Sequence, residues 1–114
     1  MRYVFIINPT AGKGKGPESL PPIIKKAFEK REEDYKIIIT ENAGDAEVAA
    51  KNEAKVGDEV CIFACGGEGT CFESVSGIVG FENGTLGVLP CGSANDFLKF
   101  FGGKDEFLNL DNQL

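Results

Sequence analysis

Residues 65–74 read CGGEGTCFES. Gly66, Gly67 and Gly69 surround one carboxylate, Glu68, directly after the apolar run DEVCIFAC, and Thr70 opens a stretch with helical character. The chemistry of such a segment comes from side chains that are missing. Glycine admits positive φ and leaves backbone N–H groups uncovered, so an anion can approach them closely. A helix starting at Thr70 adds its unpaired N–H groups and the positive end of its dipole. A glycine-rich turn running into a helix N-terminus therefore makes a phosphate cradle. The same residues have a purely structural use: Thr70 and Glu73 match the T-x-x-E capping box, and glycines make tight turns without any ligand.

What positions this turn is an alternation of strand and helix signals. RYVFIIN is a continuous apolar, aromatic and β-branched run, expected of a strand buried on both faces. After the polar turn NPTAGKGKGPES, Leu20, Ile23, Ile24, Ala27 and Phe28 share one helical face, and Pro21 and Pro22 are expected in that helix's first turn. DYKIIIT is a second strand. AGDAEVAAKNEAKVG is a helix whose Ala46, Ala49, Ala50 and Ala54 permit close packing, with Gly57 placed to end it. DEVCIFAC is a third strand, 70–79 a helix closed by Gly80, TLGVLP a fourth strand and NDFLKFFGG a short helix. Such alternation implies an α/β fold, with a parallel sheet covered by helices on its faces. In that fold every strand-to-helix turn emerges at the carboxyl edge, where open α/β sheets bind ligands. Three unusual turns then converge there, Asn8 to Gly16, Gly66 to Thr70 and Cys91 to Asp96, together with Thr40 at the end of the second strand. Convergence of three such turns points to a ligand more strongly than any one of them. Lys13 and Lys15 would draw phosphate towards the first turn, or serve only as solvated loop lysines.

Composition narrows the ligand. The 114 residues carry a net charge of −6, which argues against nucleic acid and gives no general attraction to an anionic membrane. Histidine is absent, so imidazole acid–base chemistry and histidine metal sites are excluded. The cysteines at 61, 65, 71 and 91 form no C-x-x-C pair, and reduced core thiols of a cytoplasmic protein are the expectation. No apolar run is long enough for a signal peptide or a membrane span. Neither G-x-x-x-x-G-K-[ST] nor G-x-G-x-x-G is complete, which argues against a dinucleotide-binding oxidoreductase.

Read together, IINPTAGKGKG, CGGEGTCFESVSGI and LGVLPCGSANDFLKFFG resemble the diacylglycerol kinase catalytic family, which includes bacterial lipid kinases and sphingosine kinases. The family pattern is approximately N-P-x-[SA]-G, G-G-D-G-T-x-x-E and P-x-G-T-x-N-D-F. Its order and spacing match over almost the whole chain. The resemblance implies a three-layer nucleotide-binding domain similar to phosphofructokinase and NAD kinase, and transfer of the γ-phosphoryl of ATP to a lipid hydroxyl with Mg2+. It implies that Asn8, Pro9, Thr10, Ala11 and Gly12 line the ATP site and that Thr40 contacts the nucleotide. It also implies that Gly66, Gly67, Gly69, Thr70 and Glu73 hold the phosphates, with Ser93 near them in place of the family threonine. Asn95 and Asp96 are expected to brace their loop. Glu68, the candidate catalytic carboxylate, stands where the pattern has aspartate, and is expected to act through magnesium or water. An NAD kinase-like domain shares the GGDGT-type turn, but the GSANDF turn favours the lipid kinase; a non-catalytic nucleotide-binding module is the remaining alternative.

In the family a β-rich domain follows and supplies the lipid site. The chain is accordingly expected to be an N-terminal fragment lacking that C-terminal domain, folded but inactive on lipid by itself, with peripheral membrane contact a property of the full-length protein. The phenylalanines of FLKFFGG and EFLNL are expected to be partly exposed, which favours self-association.

Overall fold

The computed structural model describes residues 2–11, 14–29, 32–66 and 68–90, the last of these by backbone alone at 68 and 88–90. Four strands, β1 (Arg2–Ile7), β2 (Tyr35–Ile39), β3 (Val60–Gly66) and β4 (Gly84–Pro90), alternate with α1 (Gly16–Phe28), α2 (Asp45–Ala54) and α3 (Glu68–Ile78). The strands are all parallel in the order β2-β1-β3-β4. The expected α/β architecture is thus present, and the short helix expected near residue 95 lies outside the described residues.

The two-residue period of a strand divides the apolar residues between two layers. Tyr3, Phe5, Ile7, Cys61, Phe63 and Cys65 face α1 and pack with its Leu20, Ile24 and Phe28. Val4, Ile6, Val60 and Ile62 face the other way, against Ala46 and Ala50 of α2, with Ile78 and Leu86 beside them. Both faces are apolar because both are covered, which is why β1 and β3 read as unbroken apolar runs. The rings of Phe5 and Phe63 stack at 5.1 Å, and Phe28 meets Phe5 edge-on at 6.0 Å. Phe63 also occupies the space beside β4: a Cβ at Gly87 would lie 2.4 Å from its ring.

Two local expectations are corrected. α1 begins at Gly16, with Pro17 in its first turn, so Pro21 and Pro22 sit one turn further in and cannot donate to the carbonyls of Pro17 and Glu18. An interior proline costs a helix about 3 kcal/mol. With two such prolines the cost is about 6 kcal/mol, and buried Leu20, Ile24 and Phe28 contribute about 1.5–3 kcal/mol each, so packing on the sheet is of the size needed to offset the lost bonds. α2 is shorter than its sequence pattern, held between Gly44 at φ +91° and Gly57 at φ +100°.

α2 and α3 lie side by side on one face of the sheet and touch at Gly77, where a Cβ would fall 2.4 Å from Glu47 O and 2.8 Å from Ala50 Cβ. The flank of α3 turned away from Gly77 carries the exposed Phe72 and Val75, with exposed Val79 just past its end, whereas the expected exposed phenylalanines beyond residue 90 lie outside the described residues. At the amino edge of the sheet, Arg2 pairs with Asp58 through two nitrogens and with Glu53, which also accepts from Lys36. Cys61 and Cys65 are free and buried, and burial pushes their thiols up to about 11 and about 12. Among the described residues no helix is long and apolar enough to cross a membrane.

Candidate functional site

The strands end in register: Ile7 lies beside both Ile39 and Cys65. Their following residues therefore emerge together at the carboxyl edge. Asn8 N–H donates to Cys65 O and Thr40 N–H to Ile7 O, each at 3.0 Å, so the sheet continues into the site. The chain leaves β1 towards β2 on one side, and β3 lies on the other, so β1/β3 is the topological switch point of the sheet. Crowding there explains one glycine. A Cβ at Gly66 would lie 2.9 Å from Thr70 Oγ1 and 3.1 Å from Asn8 Cβ.

The turn after β1 folds on itself. Asn8 Oδ1 accepts from Thr10 N–H at 2.8 Å and from the Thr10 hydroxyl at 2.6 Å, an Asx turn. With that oxygen engaged, the amide NH2 is what Asn8 has to offer a ligand. Ala11 is buried; its N–H donates to Asn8 O, and its carbonyl accepts from Gly14 and Gly16, which leads the turn into α1. Its part in the turn is structural. Gly12 and Lys13 lie outside the described residues.

After β3 the chain enters α3 at Glu68, two residues earlier than the sequence pattern suggests. Thr70 is therefore inside the first turn, and the T-x-x-E pair does not form a capping box. Thr70 is buried with its Oγ1 against Gly66, and Glu73 Oε1 accepts from Gly44 N–H at 3.1 Å, 29 residues away in sequence. Gly67, the Glu68 side chain and Ser93 lie outside the described residues. Between these turns is an open cleft of about 340 Å³, lined by Asn8, Pro9, Thr10, Thr40, Glu41, Asn42, Ala43, Ala46, Gly69, Thr70 and Glu73. The first turn of α3 opens onto it at Gly69, where a Cβ would meet nothing within 4 Å among the described residues beyond its own helical turn.

The model of the diacylglycerol kinase catalytic domain family matches residues 2–113. The chain belongs to that family. It is 40% identical over 102 residues to the diacylglycerol kinase of Bacillus subtilis (strain 168), covering 89% of this chain and 33% of that protein. It is likewise 40% identical over 97 residues to the diacylglycerol kinase of Staphylococcus aureus (strain MRSA252), covering 84% of this chain and 30% of the relative. A solved diacylglycerol kinase structure from Bacillus anthracis str. Sterne superposes with a TM-score of 0.59 at 30% identity, over 98% of this chain and 42% of the other. The chain thus spans about a third of the length of the curated relatives it matches.

The charges around the cleft are of one sign among the described residues. The described lining residues include two carboxylates, Glu41 and Glu73, and no lysine or arginine. Among the described lining residues, attraction for an anion would come from backbone N–H groups, chiefly at the N-terminus of α3, and from polar side chains. Among the described residues no group of three or more acids, cysteines or histidines could hold a metal by itself. Magnesium needs no such cage, since it keeps several waters and takes one or two carboxylates together with substrate phosphates. Glu41, Asn42 and Ala43 were not singled out in the sequence, although they follow Thr40 at the same edge. Their signal was the Asp at 45: its Oδ2 accepts from Glu41 N–H at 3.0 Å and Asn42 N–H at 2.8 Å, folding the segment into a wall. Those two bonds, Asn42's first, hold the Asp45 carboxyl below the usual range.

Proposed function

We propose that this chain is the ATP-binding part of a lipid kinase that transfers the γ-phosphoryl of ATP to a lipid hydroxyl such as that of diacylglycerol. The observation that carries this reading is the meeting of Asn8, Thr40, Gly69 and Thr70 around one cleft, with the first turn of an 11-residue helix opening onto it. Family membership supports the reaction class.

In this reading Asn8, Pro9, Thr10, Ala11 and Gly12 form the nucleotide-side turn, and Thr40 bounds it across β1. Gly66, Gly67, Gly69 and Thr70 hold the phosphates, with Ser93 beside them; Glu73, which the resemblance counts among the phosphate-holding residues, lines the α3 side of the cleft. Phosphoryl transfer asks the protein mainly for positioning and charge stabilisation. The backbone N–H groups of the first α3 turn supply both, because they are fixed by the helix and need no reorganisation as charge shifts between oxygens. Magnesium, when bound, would neutralise phosphate charge, and Glu68, through water, is the residue assigned to hold it. The lipid acceptor is assigned to the part of the relatives that this chain does not span. A cytoplasmic location suits a consumer of ATP.

Gly69→Val tests the reading. Among the described residues beyond its own helical turn, a Cβ there meets nothing within 4 Å, so the fold should tolerate it while the added side chain crowds a phosphate. Calorimetry should show magnesium–ATP binding to the wild type and at least tenfold weaker binding to the variant, with similar melting temperatures. Equal affinity for both would remove the phosphates from this turn.

A further inference from the structure

We propose that Glu73 is a positioning residue, which acts on the nucleotide by tying the 41–44 segment to α3 and so fixing the width of the cleft. This rests on the nucleotide reading above. A carboxylate facing a site for a polyphosphate is electrostatically adverse, so its presence there calls for a use that does not involve touching phosphate. The structure supplies one. Glu73 Oε1 accepts from Gly44 N–H, the residue at φ +91° that leads into α2. The segment it ties down is the wall opposite the phosphate turn, since Thr40, Glu41, Asn42 and Ala43 line one side and Gly69 and Thr70 the other.

Within the segment, Asp45 gathers the N–H groups of Glu41 and Asn42. That makes 41–45 a compact unit, but it does not fix where the unit sits relative to α3. The Glu73 bond does. Four residues on, Gly77 of the same α3 face touches α2 at Glu47 O. The two helices therefore meet at two successive turns, by close packing at Gly77 and by a hydrogen bond at Glu73. Loss of that bond leaves the wall held at its ends, by the Thr40 N–H bond to Ile7 O and by α2, without its direct tie to α3, and a wider, more mobile cleft holds a ligand less well.

Glutamine at 73 keeps an oxygen acceptor for Gly44 N–H and discards the charge, whereas alanine discards both. Magnesium–ATP affinity should therefore stay within about threefold of wild type in Glu73→Gln and fall about tenfold in Glu73→Ala. Hydrogen exchange at the Gly44 amide should stay slow in the first variant and quicken in the second, a readout that needs no ligand. Equal loss of affinity in both variants would show that the charge itself is used and overturn the positioning role. So would unchanged affinity in Glu73→Ala with a quickened Gly44 amide. Failure of the wild type to bind magnesium–ATP, with the Gly44 amide behaving as expected, would instead overturn the nucleotide reading on which the proposal rests.

Discussion

Replacing Gly77 by alanine sets two effects of opposite sign against each other. In a helix, alanine is better than glycine by about 0.5–1 kcal/mol, and less near an end, where Gly77 sits one residue before the last of α3. Against this, the new Cβ would lie 2.4 Å from Glu47 O, 2.8 Å from Ala50 Cβ and 3.0 Å from Lys51 N. Two of these atoms belong to the backbone of α2 and cannot rotate away, so one helix must move by roughly an ångström to restore ordinary contact. Overpacking of that kind costs about 1–3 kcal/mol. The net loss should be about 1–2 kcal/mol, which in a domain of this size lowers the melting temperature by on the order of 5–10 °C. Because the Glu73–Gly44 bond lies one turn along the same seam, magnesium–ATP affinity should fall as well. Thermal unfolding followed by circular dichroism reads the first effect and calorimetry the second. A variant that melts at or above the wild-type temperature would mean that helix propensity wins, and that α2 and α3 do not approach as closely as the structure shows.

Two further outcomes follow from the charges and thiols. Arg2 bonds hold the Asp58 carboxyl below the usual range; burial alone would raise Glu53, but bonds from Lys36 and Arg2 outweigh it and lower that carboxyl too. Carboxyls lowered by folding stabilise the native state above their unfolded values of about 4, and that stability is lost as pH falls through the folded values. The melting temperature should therefore drop as pH goes from about 5 to about 3, and less steeply in Glu53→Gln; identical acid profiles would show that this pair is not coupled to folding. Cys61 and Cys65, raised to about 11 and about 12 by burial, are protonated at neutral pH. In native protein a thiol reagent should leave both unlabelled and reach them only on unfolding, so rapid native labelling of either would contradict the packing of the α1 face.

The sheet was legible because β1 and β3 are buried on both faces, so burial itself writes an apolar run into the sequence. The common edge of Asn8, Thr40 and Gly66 was legible for a different reason: parallel topology places those residues together whatever their side chains. Local detail was less so. α1 starts earlier than its sequence suggests because prolines signal a first turn, and nothing local reveals that Leu20, Ile24 and Phe28 can offset two of them in the interior. The T-x-x-E spacing around Thr70 was correct for a capping box, but the helix starts at Glu68 and Glu73 reaches a different chain segment instead. Gly77 and Gly87 look like ordinary glycines until their neighbours, α2 and the Phe63 ring, are in place. Contacts between residues far apart in sequence carry no local signature.

Amide chemical-shift mapping on the wild-type chain, titrated with magnesium–ATP, tests most directly whether the nucleotide binds at the carboxyl edge of the β1/β3 switch point. The amides of Asn8, Thr10, Thr40, Asn42, Gly69 and Thr70 should shift together and saturate with one dissociation constant, while those of Arg2, Asp58 and Glu59 at the amino edge stay still. Shifts confined to the amino edge, or none at saturating nucleotide, would contradict the proposed site.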